Sequence, residues 1–415
     1  MRYYIPDYVR RAVTLLKSHG FSAYPVGGCV RDTLLSRPVH DWDITTAARP
    51  DDIVRVFGDA VCGDEGKKYG TVRVKVDGEM MEITAFRVEK GYSDMRRPDS
   101  VEFTSDLNDD LSRRDFTVNA MAFDEDGTLI DPFGGLDDIN ARLLRAVGDA
   151  DTRFDEDALR IMRALRFSSV LGFSLEKNTH EAVFLCRGLL RHVARERIYE
   201  EFKKLMCGRD AHRVICEYAD VIAVFMPDIT AAGEYSLAFA CDTVSRLPAD
   251  FHIRTAALYI AKGFPDADAR ADIFLCSLKS DRAARNKVSA IIKAASMLCD
   301  TSETGIKKAM ALMGADAVKA ALLIKQSMAK ASRDEDGASI YEAASQKAEA
   351  VINSGECITV GGLAIDGRDL ISLGFEPSPR MGETLSRLLF AVIEGETENS
   401  RGALLEYAKK LMGQT

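Results

Sequence analysis

The chain has 415 residues, 47% hydrophobic and 29% charged, enough apolar material for about two or three domains. A formal charge of −9 argues against a broad, non-specific nucleic-acid coat, although a local basic surface on an acidic protein can still hold a shaped RNA. No run reaches the ~18 apolar residues of a membrane-spanning helix, and Met1-Arg2-Tyr3-Tyr4-Ile5-Pro6-Asp7 lacks a signal-peptide core; a cytoplasmic protein with no membrane partner is expected.

Residues 8–18 read as a helix, with Val9, Ala12, Val13, Leu15 and Leu16 at helical spacing and Gly20 as the stop. Tyr24-Pro25-Val26 is a short strand running into Gly27-Gly28, and a helix follows from Val30 to Leu35. Asp43-Ile44-Thr45 reads as a strand. Residues 72–76 and 81–86 flank the turn signal Asp77-Gly78, and 118–123 and 128–130 flank Asp126-Gly127, giving two hairpins. From about residue 150 strand signals nearly vanish. Helices are expected over 159–171, 181–190, 198–206, 211–225, 237–247, 252–262, 270–277, 284–299, 304–332, 338–353, 383–394 and 401–412. The expected fold class is therefore α+β, a mixed head followed by a long helical body. Nine scattered cysteines, none in a Cys-x-x-Cys pair, fit reduced thiols better than a zinc site or disulfides; Cys29 reads as structural.

The head carries the chemistry. In Asp41-Trp42-Asp43, alternate residues of a strand share a face, so two carboxylates can clamp divalent cations, although a bare Asp-x-Asp is common on solvated turns. Val26-Gly27-Gly28-Cys29-Val30-Arg31-Asp32 sharpens that reading. Glycine lets the backbone approach a phosphate, a helix N-terminus offers free N–H groups, and Arg31 adds a charged fork. Glu82 lies in the otherwise apolar run Met81 to Phe86 and is the candidate third acid.

These segments, in this order, resemble the class II tRNA nucleotidyltransferases of the polymerase-β-like superfamily, a family that includes bacterial CCA-adding enzymes and poly(A) polymerases. The resemblance continues in Arg113-Arg114-Asp115-Phe116-Thr117-Val118-Asn119-Ala120, in Asp131-Pro132-Phe133-Gly134-Gly135, in Glu156-Asp157-Ala158-Leu159-Arg160-Ile161-Met162-Arg163-Ala164-Leu165-Arg166-Phe167 and in Glu196-Arg197-Ile198. It implies a polymerase-β-like head over residues 1–148, a nucleotide-selecting helical neck over 149–208, a helical body over 209–335 and a tRNA-binding helical tail over 336–415. It further implies that Asp41 and Asp43 bind two catalytic Mg2+ ions and that Glu82 is the third acid. Gly28 and Arg31 would hold the triphosphate, Arg114 would contact the nucleotide, and Asp115 and Asn119 would support the sugar and the motif. Asp157, Arg160, Arg163 and Arg166 would line the nucleotide pocket. The implied substrates are CTP, ATP and the acceptor stem and elbow of tRNA; monomer and homodimer are both left open.

Asp157 and Arg160 also invite a physical reading. Spaced i, i+3 on a helix, they would be neighbours. Cytosine and adenine each offer an amine beside an unprotonated ring nitrogen, which a carboxylate and a guanidinium complement; uracil and guanine offer the reverse. Such pairing discriminates by about 1–3 kcal/mol, and repulsion of the wrong base adds to it. Arg163 and Arg166 continue the series as a ridge, with salt bridges to the head as the plain alternative for Arg166. Residues 87–110, with Lys90-Gly91 and Arg97-Pro98-Asp99, read as a mobile loop; the segment resembles the full-length loop of the family, which implies terminal A addition. A poly(A) polymerase, a partial CC- or A-adding enzyme and an inactive RNA-binding protein are the alternatives.

Overall fold

A computed structural model describes residues 2–63, 66–91, 100–378 and 380–412. The chain folds into two units, one of residues 1–210 with 218–225 and one of 211–217 with 226–415.

The first unit begins with α1 (Asp7–Ser18), whose Val9, Ala12, Val13 and Leu16 are buried as the spacing predicts. Its mixed sheet contains β1 (Ala23–Pro25), β2 (Asp43–Thr46), β3 (Val61–Gly63), β4 (Thr71–Val76) and β5 (Glu79–Ala85), in the order β1-β2-β5-β4-β3. Of these neighbours β2 and β5 run parallel; the others are antiparallel. The β4–β5 hairpin turns on Asp77 (φ 53°) and Gly78 (φ 91°), the two positive φ values of a tight hairpin whose twist matches its strands. Between β1 and β2 lies α2 (Gly28–Leu34). The sheet also packs against α3 (Pro50–Phe57), a short helix that the apolar spacing did not announce. The second expected hairpin is shorter than its sequence pattern, Ala122–Phe123 against Leu129–Ile130, because residues 117–119 form a 3₁₀ turn.

Among the described residues, the expected loop over 87–110 contains two strands and a helix. Arg87–Lys90 (β6) pairs antiparallel with Ser100–Phe103 (β7), and α4 (Leu107–Ser112) follows, its Asp106 side chain capping the N-terminus. The central residues 92–99 lie outside the described residues.

The helices α5 (Gly135–Ala141), α6 (Ala150–Glu156), α7 (Leu159–Leu171), α8 (Lys177–Leu185) and α9 (Arg195–Met206) complete this unit with residues 218–225. α7 packs on α9 closely enough for the Ser169 hydroxyl to donate to the Leu205 carbonyl at 2.7 Å. The approach leaves no room for a Cβ at Gly208, which would collide with Ser169.

The second unit is helical. The expected single helix over 304–332 is two, Glu303–Met313 and Ala315–Ala331, broken at Gly314 (φ 86°), a conformation that L side chains resist. The expected helix over 211–225 is likewise divided, into Ala211–Glu217 and Ala219–Ile222. Arg380–Ile393 and Arg401–Met412 bury Leu388, Leu389, Leu404 and Leu411 in a shared apolar cluster.

Candidate active site

The glycine turn opens directly beside the acid pair. β1 and β2 are antiparallel neighbours, and the Val26 N–H donates to the Asp43 carbonyl at 3.0 Å, so the chain leaves the sheet into Gly27 at the very strand end that carries Asp43. Gly27 has φ 83°, and a Cβ there would stand 3.0 Å from Arg114 Nη1. Gly28, the glycine singled out from sequence, is the first residue of α2 and would meet only Arg31 at an ordinary 3.6 Å. The conformational demand therefore falls on Gly27, while Gly28 supplies an open helix N-terminus. Cys29 is buried, its thiol donates to the Val26 carbonyl at 3.3 Å, and burial pushes it up to about 12, too high for a reactive thiolate.

Asp41 and Asp43 are exposed and the intervening Trp42 is buried, the alternation expected of two carboxylates on one side. Asp43 is the register partner of Glu82 across the parallel β2–β5 ladder, which places the third acid on the same face. Although the Asp43 carboxyl opens onto a cavity, the protein packed around it pushes its pKa up; Glu82 adds to that push, Arg114 opposes it and Asp41 reinforces it. Among the described residues no three acidic, His or Cys side chains form a ready-made metal cage. The set is open and mutually repulsive, the charge arrangement that a divalent cation relieves, so these carboxylates fit Mg2+.

The cavity has a volume of about 950 Å³ and is lined by ten Arg and Lys side chains against four Asp, a strongly basic interior in an acidic chain. Asp43 lies on its wall; Asp41 and Glu82 do not. Arg31, Arg114, Asp115, Asn119, Asp157, Arg160, Arg163 and Arg166 all line it, as expected, and Arg37, Arg87, Arg113, Arg197 and Lys204 join them. Arg113 and Arg197 lie within the motifs that carry the resemblance, whereas Arg37, Arg87 and Lys204 come from separate segments with no shared periodicity.

Three networks hold these side chains. In the first, Arg163 Nε donates to Asp115 at 2.7 Å, the Asn119 amide donates to Asp115 at 3.0 Å, and Arg31 Nη1 donates to Asn119 at 2.6 Å. Burial alone would raise the Asp115 carboxyl, but Arg163 and the Asn119 amide bring it down to about 2. Asp115 and Asn119 thus hold Arg163 and Arg31 in place on the cavity wall.

In the second, the fully buried Asp110 accepts from Arg113 at 2.6 Å, from Arg114 at 3.2 Å and from the Thr45 hydroxyl at 2.9 Å. Strand β2 is thereby tied to both arginines, which oppose the burial of the Asp110 carboxylate and hold its pKa below the ordinary value. Arg114 Nε is buried with no hydrogen-bond partner among the described residues.

The third network corrects the expected Asp157–Arg160 helix pair. Asp157 follows α6 in an extended conformation (φ −142°, ψ 101°), outside α7. Its carboxylate accepts both Arg197 nitrogens, at 3.2 and 2.8 Å, and the Leu159 N–H at 3.1 Å. Arg160 instead pairs with Glu156 and donates to the carbonyls of Arg153, at 2.9 Å, and Arg113, at 3.2 Å. The two side chains share the cavity wall without bonding to each other. Along α7, Arg163 joins Arg160 in reaching the head, through Asp115, whereas Arg166 pairs with the buried Glu201 of α9 at 3.1 Å.

Comparison with known proteins places the fold and the motifs together. Residues 23–145 match the poly A polymerase head domain, 172–231 the RNA and SrmB-binding site of polymerase A, and 255–408 tRNA nucleotidyltransferase domain 2. The chain is 38% identical over 393 residues to the CCA-adding enzyme of Lactobacillus delbrueckii subsp. bulgaricus, covering 94% of each chain. It is 37% identical to that of Limosilactobacillus fermentum, covering 97% of this chain and 96% of that one. The crystal structure of the Bacillus stearothermophilus CCA-adding enzyme in complex with CTP superposes with a TM-score of 0.79 at 31% identity over 98% of both chains. The fold is shared with the Thermotoga maritima CCA-adding enzyme complexed with tRNA, at a TM-score of 0.63 and 20% identity over 98% of this chain and 96% of that one.

Proposed function

Because the chain belongs to the CCA-adding enzymes, a family of nucleotidyltransferases, we propose that it adds C, C and A in turn to the 3′ end of tRNA from CTP and ATP, without a nucleic-acid template and with release of pyrophosphate. The observation that carries this reading is the basic cavity of about 950 Å³ that opens at one wall onto Asp43, with Glu82 beside it across the ladder. Volume and charge suit one nucleoside triphosphate with room for an RNA end.

Asp41, Asp43 and Glu82 would hold Mg2+, which when bound lowers the pKa of the attacking hydroxyl and neutralises charge on the leaving pyrophosphate. The glycine turn and the N-terminus of α2 receive the triphosphate with Arg31, whose guanidinium is aimed by Asp32 and Asn119. Arg114, on the cavity wall, contacts the nucleotide. The tRNA 3′-hydroxyl attacks the α-phosphorus in line; one P–O bond forms, the α–β phosphoanhydride bond breaks, and the pyrophosphate stays among the arginines until release. Positioning and charge neutralisation carry the rate.

Asp157 and Arg160, which both line the cavity, select the base. Three of the roughly four acceptor directions of the Asp157 carboxylate are taken by Arg197 and Leu159, leaving one for the exocyclic amine of cytosine or adenine. The helical tail of residues 336–415 would hold the tRNA by shape and backbone contacts.

The test is incorporation of each single nucleotide, with Mg2+, onto tRNAs ending before CCA, after C or after CC. Two C additions followed by one A, lost in Asp41→Ala, support the reading. A stop after CC makes it a CC-adding enzyme, and a long A tail on varied RNAs makes it a poly(A) polymerase.

A further inference from the structure

Three cationic side chains of the cavity converge on one aromatic ring. The Cζ atoms of Arg166, Arg31 and Arg163 lie 3.9, 5.1 and 5.4 Å from the centroid of Phe167. Arg31 comes from α2, whereas Arg163, Arg166 and Phe167 itself belong to α7. The ring is almost wholly buried yet reaches the cavity, and it meets the fully buried Phe116 edge to face, with centroids 5.9 Å apart.

Three guanidiniums this close repel one another, and each has its own acid at the periphery: Asp32 for Arg31, Asp115 for Arg163 and Glu201 for Arg166. Those acids stand on three different segments and draw the arginines apart. The negative face of the Phe167 ring is within reach of all three. An aliphatic side chain would fill the same space against Phe116 and leave the guanidiniums without that shared attraction.

We propose that Phe167 is a positioning residue for the triphosphate: its ring gathers Arg31, Arg163 and Arg166 into one preassembled cation cluster that receives the phosphates of the incoming nucleotide. This rests on the reading of the cavity as a nucleoside-triphosphate site. The cluster recognises the phosphate chain common to CTP and ATP and is separate from Asp157 and Arg160, which read the base. Phe167 therefore sets how tightly any nucleotide is held and leaves base choice alone.

The experiment compares full-length wild type, Phe167→Leu and Phe167→Tyr by calorimetric binding of inorganic tripolyphosphate and by CTP, ATP and UTP incorporation onto tRNA lacking CCA. Phe167→Leu is expected to weaken tripolyphosphate binding and to raise KM for both CTP and ATP by about tenfold, with kcat and the rejection of UTP nearly unchanged. Phe167→Tyr, which keeps the ring, is expected to restore both. Wild-type tripolyphosphate affinity in Phe167→Leu, or a Tyr variant as weak as the Leu variant, overturns the proposal. Should Phe167→Leu not fold, Phe167→Met replaces it under the same criteria. If the wild type binds tripolyphosphate but adds neither C nor A, the functional reading fails, while the binding comparison still decides the role of Phe167.

Discussion

Asp43 and Glu82 are register partners across the parallel junction of the head sheet, so two carboxylates far apart in sequence project from one face with Asp41 just ahead of them. Packing around Asp43 and the charge of Glu82 raise its pKa above the ordinary 3.8, against the pull of Arg114. Arg114 thus offsets only part of the charge that gathers at Asp43.

The cost of that arrangement is measurable. The folded chain binds the Asp43 proton more tightly than the unfolded chain, so ionised Asp43 reduces stability at neutral pH, and the penalty disappears as pH falls below 3.8. Asp43→Asn is expected to keep or raise Tm at pH 7 while lowering nucleotide addition by about a thousandfold or more. Mg2+ is expected to raise Tm of the wild type and to leave Asp43→Asn unchanged. A lower Tm in the variant at neutral pH contradicts this account.

Gly27 and Gly28 separate conformation from ligand approach. Gly27→Ala places a Cβ at φ 83° and 3.0 Å from Arg114, and is expected to cost about 1–2 kcal/mol of stability. Gly28→Ala meets only an ordinary contact at the start of a helix, so its Tm stays level or rises slightly, while KM for CTP and ATP increases because the methyl group stands where a phosphate approaches. Thermal melting and nucleotide titration of both variants check the contrast.

Asp115 contributes in the opposite sense to Asp43. Its carboxyl is held at about 2, below the unfolded 3.8, so its stabilisation is complete above the unfolded value and is lost as pH falls through about 2. Asp115→Asn leaves the half-buried Arg163 without its counter-charge and is expected to cost about 1–3 kcal/mol at pH 7. Urea unfolding at a series of pH values should show the difference from wild type constant above about pH 5 and shrinking between about pH 4 and pH 2.

Base choice is expected to depend on Arg197 through Asp157. Asp157→Ala removes the acceptor and should erode the preference for CTP over UTP by about a hundredfold. Arg197→Met leaves the acceptor but frees it from its fork, and should erode the same preference by about tenfold with a smaller change in KM for CTP. Competition assays with paired nucleotides measure both; an Arg197 variant with wild-type discrimination and a raised KM would place Arg197 on the phosphates instead.

The sequence by itself determined the ordered motifs, the glycine turn before an acid pair, the α+β head and its helical continuation, because turns, strand alternation and helical spacing are local properties of the chain. It could not show that Gly27 rather than Gly28 bears the strain, since a positive φ and the nearness of Arg114 arise only when residue 114 folds back onto residue 27. The Asp157–Arg160 pairing failed for a local reason that spacing does not reveal: α6 ends before Asp157, and Arg197, forty positions on, reaches its carboxylate first. Arg31 with Asn119 and Arg163 with Asp115 join residues 88 and 48 positions apart. Such partners are chosen by which surfaces pack in three dimensions, and so are the parallel register of Asp43 with Glu82 and the gathering of three arginines on Phe167. Local chemistry nominated most of the cavity's residues; tertiary packing decided which side chains line it and which hold others in place.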